Sequence, residues 1–363
     1  MSTSPARALA RGFMASAVLA LALPACDSAP PADKKQPAAP AYDLSEKPAW
    51  TAPTNGKRYC PQYINGTVID AGASDVTVRD AATGKTKWTH KGSDMSCPIV
   101  TPQAVYIAHG AGNISALDPS TGQVKSSIDT DGLSGKNPPY VTPSGVHVEF
   151  GGDVYSVDRA LKGQIWKYEE KADMRITETE VSGSTVLMAT QNGKVKARSG
   201  KDGGPLWTYT TPSYGEIPGD MTVSDKIVSF ASQDGSVYAL DLATGKKIWA
   251  TKLDQGPAWR PHPAAGLLIT ADEKYIHALD RQTGEKKWRH AADRWMVTTA
   301  AGQAIYSDSK AGKVTSLDAA TGKNIDVIPN TPGATWLTTS PTHLYIWTDN
   351  GIQAHKFTKR TVD

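Results

Sequence analysis

The segment Val76-Thr-Val-Arg-Asp80-Ala-Ala-Thr-Gly84-Lys-Thr-Lys-Trp88 returns as Val237-Tyr-Ala-Leu-Asp241-Leu-Ala-Thr-Gly245-Lys-Lys-Ile-Trp249 and as Ile276-His-Ala-Leu-Asp280-Arg-Gln-Thr-Gly284-Glu-Lys-Lys-Trp288. Weaker copies run through Asp118 to Gly122, Asp158 to Trp166, Gly203 to Trp207 and Asp318 to Gly322. The glycines at 84, 122, 163, 203, 245, 284 and 322 are spaced by 38 to 42 residues, the length of one four-stranded propeller blade. Local chemistry within a repeat agrees. Ala104-Val-Tyr-Ile-Ala alternates as a half-buried strand, Gly110-Ala-Gly-Asn113 is turn-forming, and Ile114-Ser-Ala-Leu is the next strand. In Asp118-Pro-Ser-Thr-Gly122 the aspartate can bond its own backbone and the glycine can take positive φ, which makes a tight turn. The strand after that turn usually ends in tryptophan, an amphipathic plate suited to lying between blades with its N–H on a partner.

Seven copies carry the turn glycine, six of them with the aspartate. After Gly322 the chain continues through Trp336-Leu-Thr-Thr, His343-Leu-Tyr-Ile-Trp347 and Gly351-Ile-Gln-Ala-His355, three strands of an eighth blade with no Thr-Gly-x-x-x-Trp to finish it. Trp50 stands 38 residues before Trp88, one period early. The chain is therefore expected to be all-β, an eight-bladed β-propeller of four-stranded antiparallel blades over residues 45–363. An N-terminal strand around Trp50 would complete the last blade and remove the open sheet edge. Trp50, Trp88, Trp166, Trp207, Trp249 and Trp288 are the expected docking plates between blades.

The N-terminus reads as an address. Residues 1–11 hold Arg7 and Arg11 and no acid, and the apolar stretch to Pro24 is too short to span a bilayer comfortably, so residues 1–25 read as a secretory signal. Leu23-Pro24-Ala25-Cys26 resembles a bacterial lipobox, which makes Cys26 the candidate lipidation site; a simple signal with a chance cysteine is the plainer alternative. Residues 26–44 are rich in Ala and Pro and read as a tether. The formal charge of +3, or +1 once Arg7 and Arg11 are removed, argues against a nucleic-acid partner.

The Ala-Leu-Asp-x-x-Thr-Gly-x-x-x-Trp phrase resembles the tryptophan-docking repeat of pyrroloquinoline-quinone-type β-propellers. Ser199 departs from it by replacing the aspartate of the fourth repeat, and the second and seventh repeats lack tryptophan. With a lipobox, a tether and a single propeller, the chain is similar to the lipoprotein subunit of the outer-membrane barrel-assembly machinery. That resemblance implies a monomeric, non-catalytic scaffold without cofactor, anchored at the cell membrane, facing the periplasm or exterior, and binding envelope proteins or peptides in membrane-protein assembly. A small-ligand or glycan sensor is the alternative. A quinone-dependent dehydrogenase is a distant third, since no two cysteines are adjacent and no phased Glu/Asn/Asp set suggests a calcium site.

Two other groups of residues carry information. Cys60 and Cys97, each followed by proline, hold the same phase in neighbouring blades, so they are a candidate disulfide or else two buried thiols. The connections between blades contain Asp173, Arg175, Asp220, Trp259, Arg260, Arg294, Trp295 and Trp336. Trp and Arg are favoured at binding hot spots, so these residues are either a ligand patch at the channel mouth or a plug that pairs the arginines with Asp173, Asp220 and Asp293. No metal-ligand spacing is present. His277 aligns with Tyr238 and reads as a packing or surface residue, and Asp129-Thr-Asp131-Gly132 starts a calcium loop without the ligands to finish it.

Overall fold

The computed structural model describes residues 42–54, 59–72, 74–110, 112–131, 138–170, 176–212, 221–292, 296–308 and 311–359, within one compact unit from Ala39 to Asp363; the side chains of Tyr59, Cys60 and Met296 lie outside the description. The proposed signal, Cys26 and most of the tether fall outside these residues.

Among the described residues, 33 strands form eight antiparallel sheets. Blades 1 to 7 begin at Tyr59, Ile99, Tyr140, Ile176, Thr222, His262 and Met296, and blade 8 at Trp336. Each blade is a meander, and the first strands of successive blades approach one another around the axis. The second and third strands read as continuous apolar runs, such as Leu267–Ala271 and Tyr275–Asp280, because a neighbouring blade covers each face. The fourth strands alternate buried and exposed, as in Lys247–Lys252.

The recurring tryptophan closes the seams. Its indole N–H donates to a carbonyl in the next blade's turn: Trp88 to Pro119 at 2.8 Å, Trp166 to Gly200 at 3.0 Å, Trp207 to Leu242 at 2.9 Å, Trp249 to Arg281 at 3.0 Å and Trp288 to Ala319 at 3.0 Å. Trp50 completes the set on Ala81 at 3.0 Å. The turn glycine is needed twice over. Gly245 has φ +68°, and a Cβ there would lie 2.5 Å from the Trp207 ring. Asp241 holds the turn by accepting from the N–H and hydroxyl of Thr244.

The last blade is completed by the N-terminus, as the repeat count requires. Trp50–Ala52 pairs antiparallel with Gly351–Lys359 through Trp50↔Ala354. A second segment, Tyr42–Leu44, continues along the same edge from Tyr42↔Lys359 to Leu44↔Phe357, three residues inside the stretch read as tether. It also bridges to blade 7, which has no tryptophan: Leu44 N donates to Asp326 Oδ2 at 2.7 Å, and the Gln303 amide donates to the Tyr42 carbonyl.

Blades 1 to 7 share one further irregularity. On the fourth strand, the residue just before the tryptophan position is bulged out of register against the third.

Candidate functional site

The first strands are short and only partly buried, and together they surround a cavity of about 550 Å³. Its wall includes Pro61, Gln62, Ile99, Tyr140, Glu178, Glu180, Trp259, Arg260, His262, Val297, Trp336 and Leu337, from seven of the eight blades. Each strand supplies what its position allows. Glu178 and Glu180 stand two apart on Ile176–Ser182, which puts both on one side of the strand. Trp259 and Arg260 precede the His262–Ala264 strand in the connection from blade 5. The backbone of Trp259 is pinned, its N–H donating to Ala271 O at 2.9 Å and its carbonyl accepting from the Thr270 hydroxyl, while its side chain remains half exposed.

Arg260 Nη2 lies 3.6 Å from Glu180 Oε2 and donates to Met221 O at 3.2 Å, which ties blades 4, 5 and 6 together at the cavity. Burial, and secondarily the Arg260 charge, pushes His262 down to about 3, so it is a neutral imidazole at physiological pH. The cavity thus combines indole and phenol faces with two carboxylates, one guanidinium and one neutral imidazole. Such a set offers hydrogen-bond donors, acceptors and aromatic faces of the kind found in ligand sites.

Of the sequence-predicted mouth residues, Trp259, Arg260 and Trp336 line this single cavity. Asp173, Arg175, Asp220, Asp293, Arg294 and Trp295 lie outside the described residues. The inner-strand residues Glu178, Glu180 and Tyr140 were not anticipated. The alternation Thr177-Glu178-Thr179-Glu180 on a first strand was the available signal for the two carboxylates.

Cys97 also borders the cavity and is disulfide-bonded. Nearby, Gln62 Nε2 donates to Pro98 O at 2.6 Å, which brings the start of blade 1 against the start of blade 2.

His277 is fully buried, with Nε2 2.7 Å from Asp272 Oδ2. Burial pushes the Asp272 carboxyl up, but backbone donors from Lys274 and Tyr275 and the His277 ring bring it below the usual range. Neither residue lines the cavity, so the pair is a structural clasp within blade 6. Asp129 accepts from Asp131 N at 2.9 Å, a turn contact. Among the described residues no group of three or more His, Cys, Asp or Glu side chains is gathered to hold a metal ion.

A family model described as outer membrane protein assembly factor BamB matches residues 37–137, 151–262 and 233–341. The BamB of Shewanella oneidensis is 25% identical over 199 residues, covering 46% of this chain and 50% of that protein. Tetrathionate hydrolase of Acidithiobacillus ferrooxidans is 27% identical over 239 residues, covering 57% of this chain and 47% of that protein. The chain therefore spans about half the length of these curated relatives. The crystal structure of BamB from Moraxella catarrhalis superposes with a TM-score of 0.70 at 21% identity, covering 86% of this chain and 100% of that one, which establishes the shared fold.

Proposed function

The chain belongs to the outer membrane protein assembly factor BamB family, and we propose that it is a non-catalytic, protein-binding scaffold of the cell envelope, tethered through acylated Cys26 and receiving its partner at the channel mouth. The observation that carries this reading is the half-exposed Trp259 held beside Arg260 over the cavity shared with Trp336. A rigid backbone, aromatic surface and a guanidinium are the makings of a hot spot.

The test is crosslinking in the native envelope followed by mass spectrometry, comparing the unmodified protein with W259A/W336A. Assembly-machinery components captured by the first and lost from the second, at unchanged melting temperature, are the expected result. Equal capture by both, or collapse of the variant's stability, overturns the mouth as the binding site. Labelling with palmitate, lost in C26A, checks the anchor.

The cavity's size, within the range of small-molecule sites, favours one second reading, a small amphipathic ligand or glycan seated in the channel. Protection of Trp259 fluorescence from quenching by added oligosaccharide would be its sign.

A further inference from the structure

The bulge repeated on the fourth strands lets the blades serve as controls for one another. The bulged residue is Lys87, Lys125 and Lys287 in blades 1, 2 and 6. In blades 3, 4, 5 and 7 it is Ile165, Leu206, Ile248 and Ile325. The blade 7 isoleucine is partly buried, and Tyr42–Leu44 runs beside its strand, with Leu44 N on the adjacent Asp326. Ile165, Leu206 and Ile248 have no such strand beside them among the described residues and are 40%, 54% and 44% exposed. Val124, next to the bulge of blade 2, is 52% exposed. Four of the six exposed large hydrophobic side chains among the described residues thus fall on the rim of four consecutive blades; the other two are Val327 in blade 7 and Trp259 at the cavity.

Charge at the bulge is compatible with the fold, as blades 1, 2 and 6 show, and charge is what exposed edge strands normally carry. Where blade 7 has an apolar bulge, a strand lies alongside. An apolar sector with neither charge nor strand marks a surface covered by something else.

Two observations identify the cover. Lys162, Lys201, Lys246 and Lys247 lie in or beside the turns that precede these bulges; all are exposed and form no ion pair among the described residues. The carboxylates of the same turns, Asp158, Asp202 and Asp241, are each occupied by backbone N–H groups. The second observation is where the preceding chain joins the ring. Tyr42 pairs with Lys359, and Phe357 N donates to Thr342 O in the hairpin between the first two strands of blade 8. In an up-and-down blade that hairpin lies on the same face as the turns between third and fourth strands. The segment bearing Cys26 therefore joins on the face that carries the lysines, at blade 8, four blades around the ring from Leu206.

We infer that the rim of blades 3 to 5 docks on an anionic phospholipid surface, with Ile165, Leu206 and Ile248 entering the headgroup boundary and the turn lysines meeting lipid phosphates. Aliphatic insertion beside basic residues is the physics of interfacial binding. Contact at blades 3 to 5, opposite the tether's attachment at blade 8, would lay the ring flat on the bilayer and present the opposite face, with the connections between blades, to a partner. The inference rests on the envelope location proposed above, though not on acylation or on the channel-mouth site.

The test is flotation of the chain from residue 26 onward, carrying C26A and so unacylated, with vesicles of phosphatidylethanolamine and phosphatidylglycerol or of phosphatidylcholine alone. Binding to the anionic vesicles is expected, falling at least about tenfold in I165Q/L206Q/I248Q. Loss of the preference for phosphatidylglycerol is expected in K162Q/K201Q/K246Q/K247Q. Both variants should melt like the parent, since lysine already occupies the bulge in three other blades. Equal flotation of the parent and the aliphatic variant, or no flotation of the parent, overturns the inference. So does concentration-dependent dimerisation abolished by the same three substitutions, which would make a second copy the cover. Partner capture through Trp259 and Trp336 is read separately, so either result can fail alone.

Discussion

The hydroxyl of Tyr106 donates to the carbonyl of Arg159 at 2.7 Å, across the seam between blades 2 and 3. Arg159 follows the turn aspartate of blade 3, as Pro119, Leu242, Arg281 and Ala319 follow theirs, so the acceptor matches the one an indole reaches in most other seams. Ser126 stands where blade 2 would carry tryptophan. A tyrosine on the second strand therefore supplies the missing donor. Y106F keeps the ring and leaves the carbonyl without this donor, so it is expected to cost about 1 kcal/mol in denaturant unfolding. A change near zero would mean that ring packing alone holds the seam.

Gly284 has φ +74°, and a Cβ there would sit 2.6 Å from the ring of Trp249. G284A is expected to destabilise by about 2–4 kcal/mol, combining left-handed backbone strain with overpacking. In a double-mutant cycle with W249F the costs should be less than additive, because the smaller ring relieves part of the clash. Strict additivity would show that the backbone term is the whole effect.

His147 is fully buried, its Nε2 2.8 Å from Thr142 Oγ1 and its ring stacked on Trp166 at 5.3 Å between centroids. Burial pushes its pKa down from 6.5 to about 4. The folded protein holds this ring neutral while the unfolded chain takes up a proton, so stability is full above pH 6.5 and is lost as pH falls towards 4. The loss attributable to this one group is about 3 kcal/mol. Unfolding curves of the parent and H147Q across that interval should converge as pH falls, the variant being less stable at neutrality and having a shallower slope. Parallel pH dependences would rule out His147 as the source.

Cys97 is disulfide-bonded, and the contact of Gln62 with Pro98 supports Cys60 as the partner. A bridge between residues 60 and 97 would stabilise the ring by about 4 kcal/mol in the chain-entropy model. Thiol titration of the unfolded, unreduced C26A protein should find no reactive cysteine, and proteolysis should release one linked pair of peptides. Two titratable thiols would contradict the pairing.

The ring was legible because its information is repeated: six tryptophans, phased glycines and a fixed period each state the same rule, so one degenerate copy does not hide it. The seams without tryptophan were not legible, because each is closed by a contact outside the Asp-x-x-Thr-Gly-x-x-x-Trp phrase, although Tyr345 of blade 8 makes the same contact as Tyr106, donating to Ala81 O at 3.2 Å. Tyr106 looks like any second-strand aromatic, and Tyr42–Leu44 looks like the end of a tether until Asp326 and Lys359 are seen beside it. The cavity was partly legible. Indoles and guanidinium in the connections announced themselves as departures from the repeat, whereas Glu178 and Glu180 sit where any polar residue on a first strand would. Burial from neighbouring blades, which decides that His262 is neutral, is a property of the closed ring that no local pattern encodes.

Trp50–Ala52 and Tyr42–Leu44 have no hydrogen-bonding edge of their own until Gly351–Lys359 exists. The first strands to be synthesised must wait for the last, across a separation of roughly 300 residues whose closure entropy falls on a single docking event. A chain truncated in blade 8 is therefore not a smaller ring but an open arc with two unsealed ends. The same geometry makes the preceding chain a handle on the latch: force applied to the residues before Tyr42 is delivered first to the strand pair that keeps the circle shut and to the Gln303 and Asp326 contacts that bind it to blade 7.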